Sequence, residues 1–185
     1  MIVPVNLVLD GQVKWRPRQL DEFQRGIWAA AVRDFAGCGV QIEGTWKAGG
    51  VQRPPGREPV ISGLERGVLN VVITNRIPLE WDQGRAWSGV TTRYRGYDLC
   101  MVALDHAHGH QAPLLSLNTC THELLHALML DILEDRPPGL AGQARELRID
   151  WYATRLWLFH DGAAIRKPAQ KYVERLGNRG GLDLK

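Results

Sequence analysis

Cysteine is scarce in this chain and poorly arranged for cross-linking: Cys38, Cys100 and Cys120 are odd in number, far apart and without a CxxC pair. That excludes a disulfide framework and a cysteine-ligated zinc knuckle, and leaves reduced, mostly buried thiols as the expectation. Long apolar runs are missing too, since none approaches the ~20 residues a membrane-spanning helix needs. Residues Met1 to Asp10 are apolar for only a few positions, lack a basic leader and meet Pro4 early, so they do not resemble a secretory signal. Cytoplasmic synthesis is therefore expected, with a virion as the destination if the chain is phage-encoded. Charge is not concentrated either, because 23 basic residues stand against 20 acidic ones for a formal net charge of +3. Without a basic stripe or a reading motif, no nucleic-acid partner is expected. Internal repeats and low-complexity tracts are absent.

What is present suits one compact domain: 185 residues, 44% of them hydrophobic and 23% charged, suffice for a single core. Ile2 to Leu9 alternates loosely as a strand ended by Asp10-Gly11, and Pro17 marks the approach to a helix. From Gln19 to Ala36, Leu20, Phe23, Ile27, Ala31 and Phe35 recur at helical spacing, and Gly37 and Gly39 supply the stop. Val40 to Trp46 alternates as a strand, whereas Lys47 to Glu58, with Gly49-Gly50 and Pro54-Pro55-Gly56, reads as a flexible loop. Val68 to Thr74 is β-branched and continuous enough for a sheet interior.

Asn75 to Gly96 reads as a long irregular loop whose Trp81, Arg85, Trp87, Arg93 and Arg95 could form one lip of a substrate cleft. Tyr97 to Leu104 reads as a last strand. His106, His108 and His110 alternate beyond it and would share one face of an extended chain, to bind a second metal or stabilise an oxyanion, or simply to lie in a solvated loop. Two helices follow, Thr119 to Glu134 and Leu140 to His160, split by Arg136-Pro137-Pro138-Gly139. The expected layout is a single domain over 1–185, with helix and sheet in 1–117, two site-bearing helices in 118–160 and a C-terminal tail in 161–185.

The segment Thr121 to Asp131 contains HExxH as His122, Glu123 and His126. On a helix, residues four apart lie about 40° apart around the axis, so both imidazoles point the same way and can share one metal ion. Glu123 sits beside them, close enough to take a proton from an activated water without being a ligand. Leu124, Leu125, Ala127, Leu128, Met129, Leu130, Ile132 and Leu133 leave almost no polar face, so this helix should be buried. A divalent cation would stabilise two histidines and a glutamate there; the alternative is a pair of hydrogen-bonded core histidines.

Catalytic zinc takes a third protein ligand and keeps an open position. Asp131 lies about 140° around an unbroken helix from His126 and is a poor candidate. Glu146 is better. On the second helix Glu146, Asp150, Ala153 and Trp157 cluster opposite Arg145, Arg148, Tyr152 and Arg155, so the two acids point inward. A metal ligand and a carboxylate bonded to a ligand would account for both, as would an ordinary ion pair.

HELLH followed by ELRID on the next helix resembles the gluzincin branch of the zincin metallopeptidases, whose pattern is HExxH with ExxxD twenty or more residues on; here Glu146 lies twenty residues after His126. The resemblance implies that His122, His126 and Glu146 bind Zn2+, that Glu123 is the general base, that Asp150 hydrogen-bonds a ligating histidine, and that the substrate is a peptide or protein. It implies an α+β, zincin-like fold, with a small twisted mixed sheet, an N-terminal backing helix, an active-site helix and a C-terminal ligand-bearing helix. By the same analogy Tyr97 to Leu104 would be the substrate-binding edge. The metzincin pattern does not fit, because Met129 and Ile132 stand where it needs glycine and a third ligand. No deformylase-type motif surrounds Cys100, and the cysteine ribbon of many SprT-like DNA-repair peptidases is missing. A zincin fold used as a structural or binding module, with a structural metal or lost activity, would share the same ligands.

Overall fold

Val3, Val5 and Leu7 point to one side of an extended chain and Asn6 and Val8 to the other, and all five are buried, so the first strand needs cover on both faces. The computed structural model supplies it and describes residues 1–78, 81, 88–104, 118–128 and 163–180. Over these residues the protein is a mixed α and β structure. Strand β1 (Ile2–Asp10) leads through α1 (Pro17–Asp21), a π-helical stretch (Glu22–Trp28) and α2 (Ala29–Gly37) to β2 (Gln41–Gln52). Then come β3 (Val60–Ser62), β4 (Leu69–Thr74), β5 (Gly89–Tyr94), β6 (Tyr97–Ala103), α3 (Thr119–Leu128) and α4 (Ala163–Gly180). Pro17 suits the first helical turn, where its missing N–H costs nothing.

The six strands form one mixed sheet in the order β3-β2-β1-β4-β6-β5. β1 is parallel to β2 and β4, and β4 is parallel to β6, with Leu7 level with Trp46 and Val71, and Val71 level with Cys100. The two outer strands run antiparallel to their neighbours, β3 on β2 and β5 on β6. Period-two alternation sorts the side chains into two cores. Val5, Leu7, Leu69, Val71, Ile73, Cys100 and Val102 pack under the helices with Phe23, Phe35, Leu124, Leu125, Leu128 and Tyr172. Val8, Val72, Leu99, Met101 and Tyr94 pack on the opposite face with Val51, Ile61 and Ile77. Each large side chain buried there contributes about 1.5–3 kcal/mol.

The structure corrects four expectations. Lys47 to Gln52 is not loop but the continuation of β2, and Gly49 is required there because a Cβ would collide with the Ser62 carbonyl and the Val8 side chain. Within the expected loop Asn75 to Gly96, Gly89–Tyr94 is a strand. Tyr97–Ala103 is not an edge, since β4 and β5 flank it; β5 holds the margin of the sheet. Residues Ala163–Gly180 of the expected tail form a helix that sends Ile165, Ala169, Tyr172 and Leu176 into the main core. Among the described residues, no helix is long and apolar enough to cross a membrane.

Candidate active site

Helix α3 begins where Asn118 caps it: its Oδ1 accepts the backbone N–H of Cys120 at 3.0 Å and of Thr121 at 3.2 Å. The same side chain donates through Nδ2 to the Ile27 carbonyl at 2.7 Å, tying the start of α3 to the π-helical stretch. Thr121 adds a second tie by donating its hydroxyl to the Asp34 carboxylate at 3.2 Å. Burial raises the Asp34 pKa above the ordinary carboxylate value, while the Thr121 bond and Arg33 pull it back. From Cys120 to Leu128 every residue but His122 is buried, as the apolar composition of this helix predicts.

One turn apart on this helix, His122 and His126 face each other with their Nε2 atoms 3.0 Å apart. Their ring centres are separated by 4.7 Å and the planes inclined by 67°. His126 is buried and His122 half-buried. Two imidazole nitrogens on one tetrahedral zinc, each at about 2.0–2.1 Å, would lie roughly 3.3 Å apart. The observed pair is within a few tenths of an ångström of that, so the donor chemistry and spacing fit two of a metal's ligands. A direct N–H···N hydrogen bond fits the same separation.

Glu123, 5% exposed, turns toward the sheet. The Thr91 hydroxyl on β5 donates to its Oε2 at 2.6 Å, and Gly89 on the same strand leaves room for the carboxylate. Thr91 stands directly opposite Cys100 in the β5–β6 ladder, and the Cys100 thiol donates to the Glu123 carbonyl at 3.4 Å. Burial pushes the Cys100 thiol well above its usual range and the Glu123 charge adds to the effect; Cys120 is raised for the same two reasons. Both thiols are therefore held protonated and are poor nucleophiles. All three cysteines are buried and none is disulfide-bonded.

Among the described residues, no group of three His, Cys, Asp or Glu is placed to hold a metal ion. Glu146 and Asp150, as well as Asp131, His106, His108, His110, Tyr152 and His160, lie outside the described residues. So do Arg85 and Trp87 of the expected cleft lip. The described members of that lip are otherwise engaged. Trp81 packs edge-on against Tyr94 in the core opposite the helices, Arg93 pairs with Asp98 at 3.5 Å, and Arg95 pairs with Glu58 at 3.3 Å.

Three residues of this site carry no mark in the HExxH pattern: Asn118, Gly89 and Thr91. Asn118 has a local signal, a capping residue just before a helical run. Gly89 and Thr91 reach Glu123 across more than thirty positions, and only the β-branched Val90-Thr91-Thr92 run hints that a strand is there. Comparison with protein-family models, with curated proteins and with solved structures finds no match to this chain.

Proposed function

We propose that this protein is a zinc-dependent metallopeptidase of gluzincin type that hydrolyses peptide bonds, with Glu123 as general base. The observation that carries the reading is the convergence of the His122 and His126 Nε2 atoms, 3.0 Å apart on a buried helix, beside a buried Glu123. His122, His126 and Glu146 would hold the metal, and Asp150 would fix one of the ligating rings. When bound, zinc supplies the positive charge that acidifies water and polarises a carbonyl. Glu123 accepts the proton of the attacking water and delivers it to the leaving amine. Leu124, Leu125 and Leu128 bury the inner side of the helix in the main core. β5, the outermost described strand and in contact with α3, would pair with an extended peptide by β-strand addition.

The test is metal content and turnover measured together. Zinc-loaded protein should carry one ion per chain and cut members of a panel of unfolded proteins; Glu123→Gln should keep the ion and lose turnover, whereas Glu146→Ala should weaken metal binding. Full activity in Glu123→Gln would remove the base assignment. The fit of 3.0 Å to a direct hydrogen bond favours a second reading, a zincin-like structural or binding module. A preparation that folds without metal and cuts nothing would select it.

A further inference from the structure

The geometry points to Thr91 as a positioning residue for Glu123, with Gly89 providing the space in which the carboxylate is aimed. This rests on the reading of His122, Glu123 and His126 as the active site and extends it to strand β5. Thr91 has one hydroxyl proton, and its shortest contact by a wide margin is Glu123 Oε2 at 2.6 Å; the Glu123 carbonyl lies at 3.0 Å and the Cys100 sulfur at 3.4 Å. The proton therefore goes to the carboxylate, in a charge-assisted bond of the short O–H···O⁻ kind. Cys100, opposite Thr91 in the ladder, satisfies the Glu123 carbonyl instead and leaves the hydroxyl to that task.

Gly89 completes the cradle from the same side of the strand, two residues earlier, where period-two alternation puts it on the helix-covered face with Thr91. A Cβ at 89 would collide with Glu123 Oε1 and stand 2.7 Å from its Cγ and 2.8 Å from its Cδ. Glycine is thus needed for close approach, not for backbone shape. With Oε2 bound to Thr91 and Oε1 against Gly89, the carboxylate is held from this side by β5. A residue that must receive a proton at one point in space gains from such a fixed aim.

The experiment uses the whole 185-residue, zinc-loaded chain and acetohydroxamic acid, which chelates zinc through two oxygens and hydrogen-bonds to a neighbouring carboxylate. Zinc per chain, melting temperature and acetohydroxamate affinity are measured for the wild type, Thr91→Ser, Thr91→Val and Gly89→Ala. Thr91→Ser should match the wild type in all three. Thr91→Val and Gly89→Ala should keep their zinc but bind acetohydroxamate about tenfold more weakly, the size expected for losing a hydrogen bond to a charged group. Unchanged affinity in zinc-loaded Thr91→Val would overturn the positioning role and leave the metal site standing. Zinc lost together with affinity in Thr91→Val would also overturn it, because the hydroxyl would then be supporting the fold. Should Thr91→Val fail to fold, Gly89→Ala decides the question alone, since it displaces the carboxylate with the hydroxyl in place. A wild type that takes up no zinc removes the active-site reading and this role with it.

Discussion

Two of the carboxylates buried among the described residues, those of Asp10 and Glu123, are held in opposite ways. Asp10, fully buried at the end of β1, accepts the backbone N–H of Gln12 at 3.0 Å and of Val51 at 2.9 Å through one oxygen. Through the other it accepts the Thr74 hydroxyl at 2.8 Å and the Arg53 guanidinium at 3.3 Å. Arg53 in turn reaches the Thr74 hydroxyl and the Arg76 carbonyl, so β1, β2 and the chain after β4 are locked together at one point. Glu123, by contrast, is aimed by a hydroxyl from a marginal strand and shares its helix with two imidazoles. A carboxylate surrounded by fixed backbone donors and a cation has no capacity left for chemistry, whereas the role proposed for Glu123 requires one that keeps it.

The sharpest way to break this contrast is to neutralise each carboxylate in turn. Glu123→Gln should lower turnover by about 10²–10⁴-fold, the range of general acid–base contributions, with zinc content and melting temperature held. Asp10→Ala should do the reverse. Two backbone N–H groups and the Thr74 hydroxyl would be stranded, costing on the order of 3–5 kcal/mol of stability in a denaturant titration. Protein that survives folding should still bind zinc. If Asp10→Ala proved as stable as the wild type, or if Glu123→Gln unfolded the chain, the division of labour between the two would be wrong.

The sequence made the histidine pair legible because helical periodicity is local: four residues fix the relation of His122 to His126 whatever else the chain does. The buried helix, β1, β4 and the amphipathic run ending near Gly37 were legible for the same reason, although the π-helical stretch within that run was not. Strand extents failed where glycine and proline imitate loop. Gly49 is read as a break by composition but is demanded in β2 by the Ser62 carbonyl lying over it, a contact no local rule contains. β5 was hidden inside a segment rich in Gly and Arg, and with it went Gly89 and Thr91. The helix Ala163–Gly180 was legible in principle: Ile165, Ala169, Tyr172 and Leu176 keep helical spacing, but Pro168 and Gly177 weaken the pattern.

Asn118 belongs to neither carboxylate, yet it sets where Glu123 stands. Its side chain caps α3 and holds the Ile27 carbonyl at the end of the π-helical stretch. Asn118→Ala should cost about 1–2 kcal/mol, since a cap and a partly buried interhelical bond are lost together. Asn118→Asp should recover the cap but not the bond to Ile27, because a carboxylate has no proton to donate to a carbonyl. Chemical denaturation of the two variants separates the contributions, and equal losses in both would assign the effect to the tether.

The smallest effect belongs to Asp34, the other tie on α3. Burial raises its carboxyl pKa in the folded protein above the usual value of 3.8, so the folded chain holds this proton more tightly than the unfolded one. The sign follows from linkage: its contribution to stability is fully present below the unfolded pKa and is lost as pH rises through the folded one. Asp34→Asn keeps an oxygen to accept the Thr121 hydroxyl and removes the charge. The two proteins should therefore match in acid, and the variant should become the more stable as pH climbs past about 4, by no more than about 0.5 kcal/mol for a half-buried group. Melting curves at pH 3 and pH 6 check this; a wild type that gains on the variant as pH rises would mean the charged Asp34 is the form the helix pair prefers.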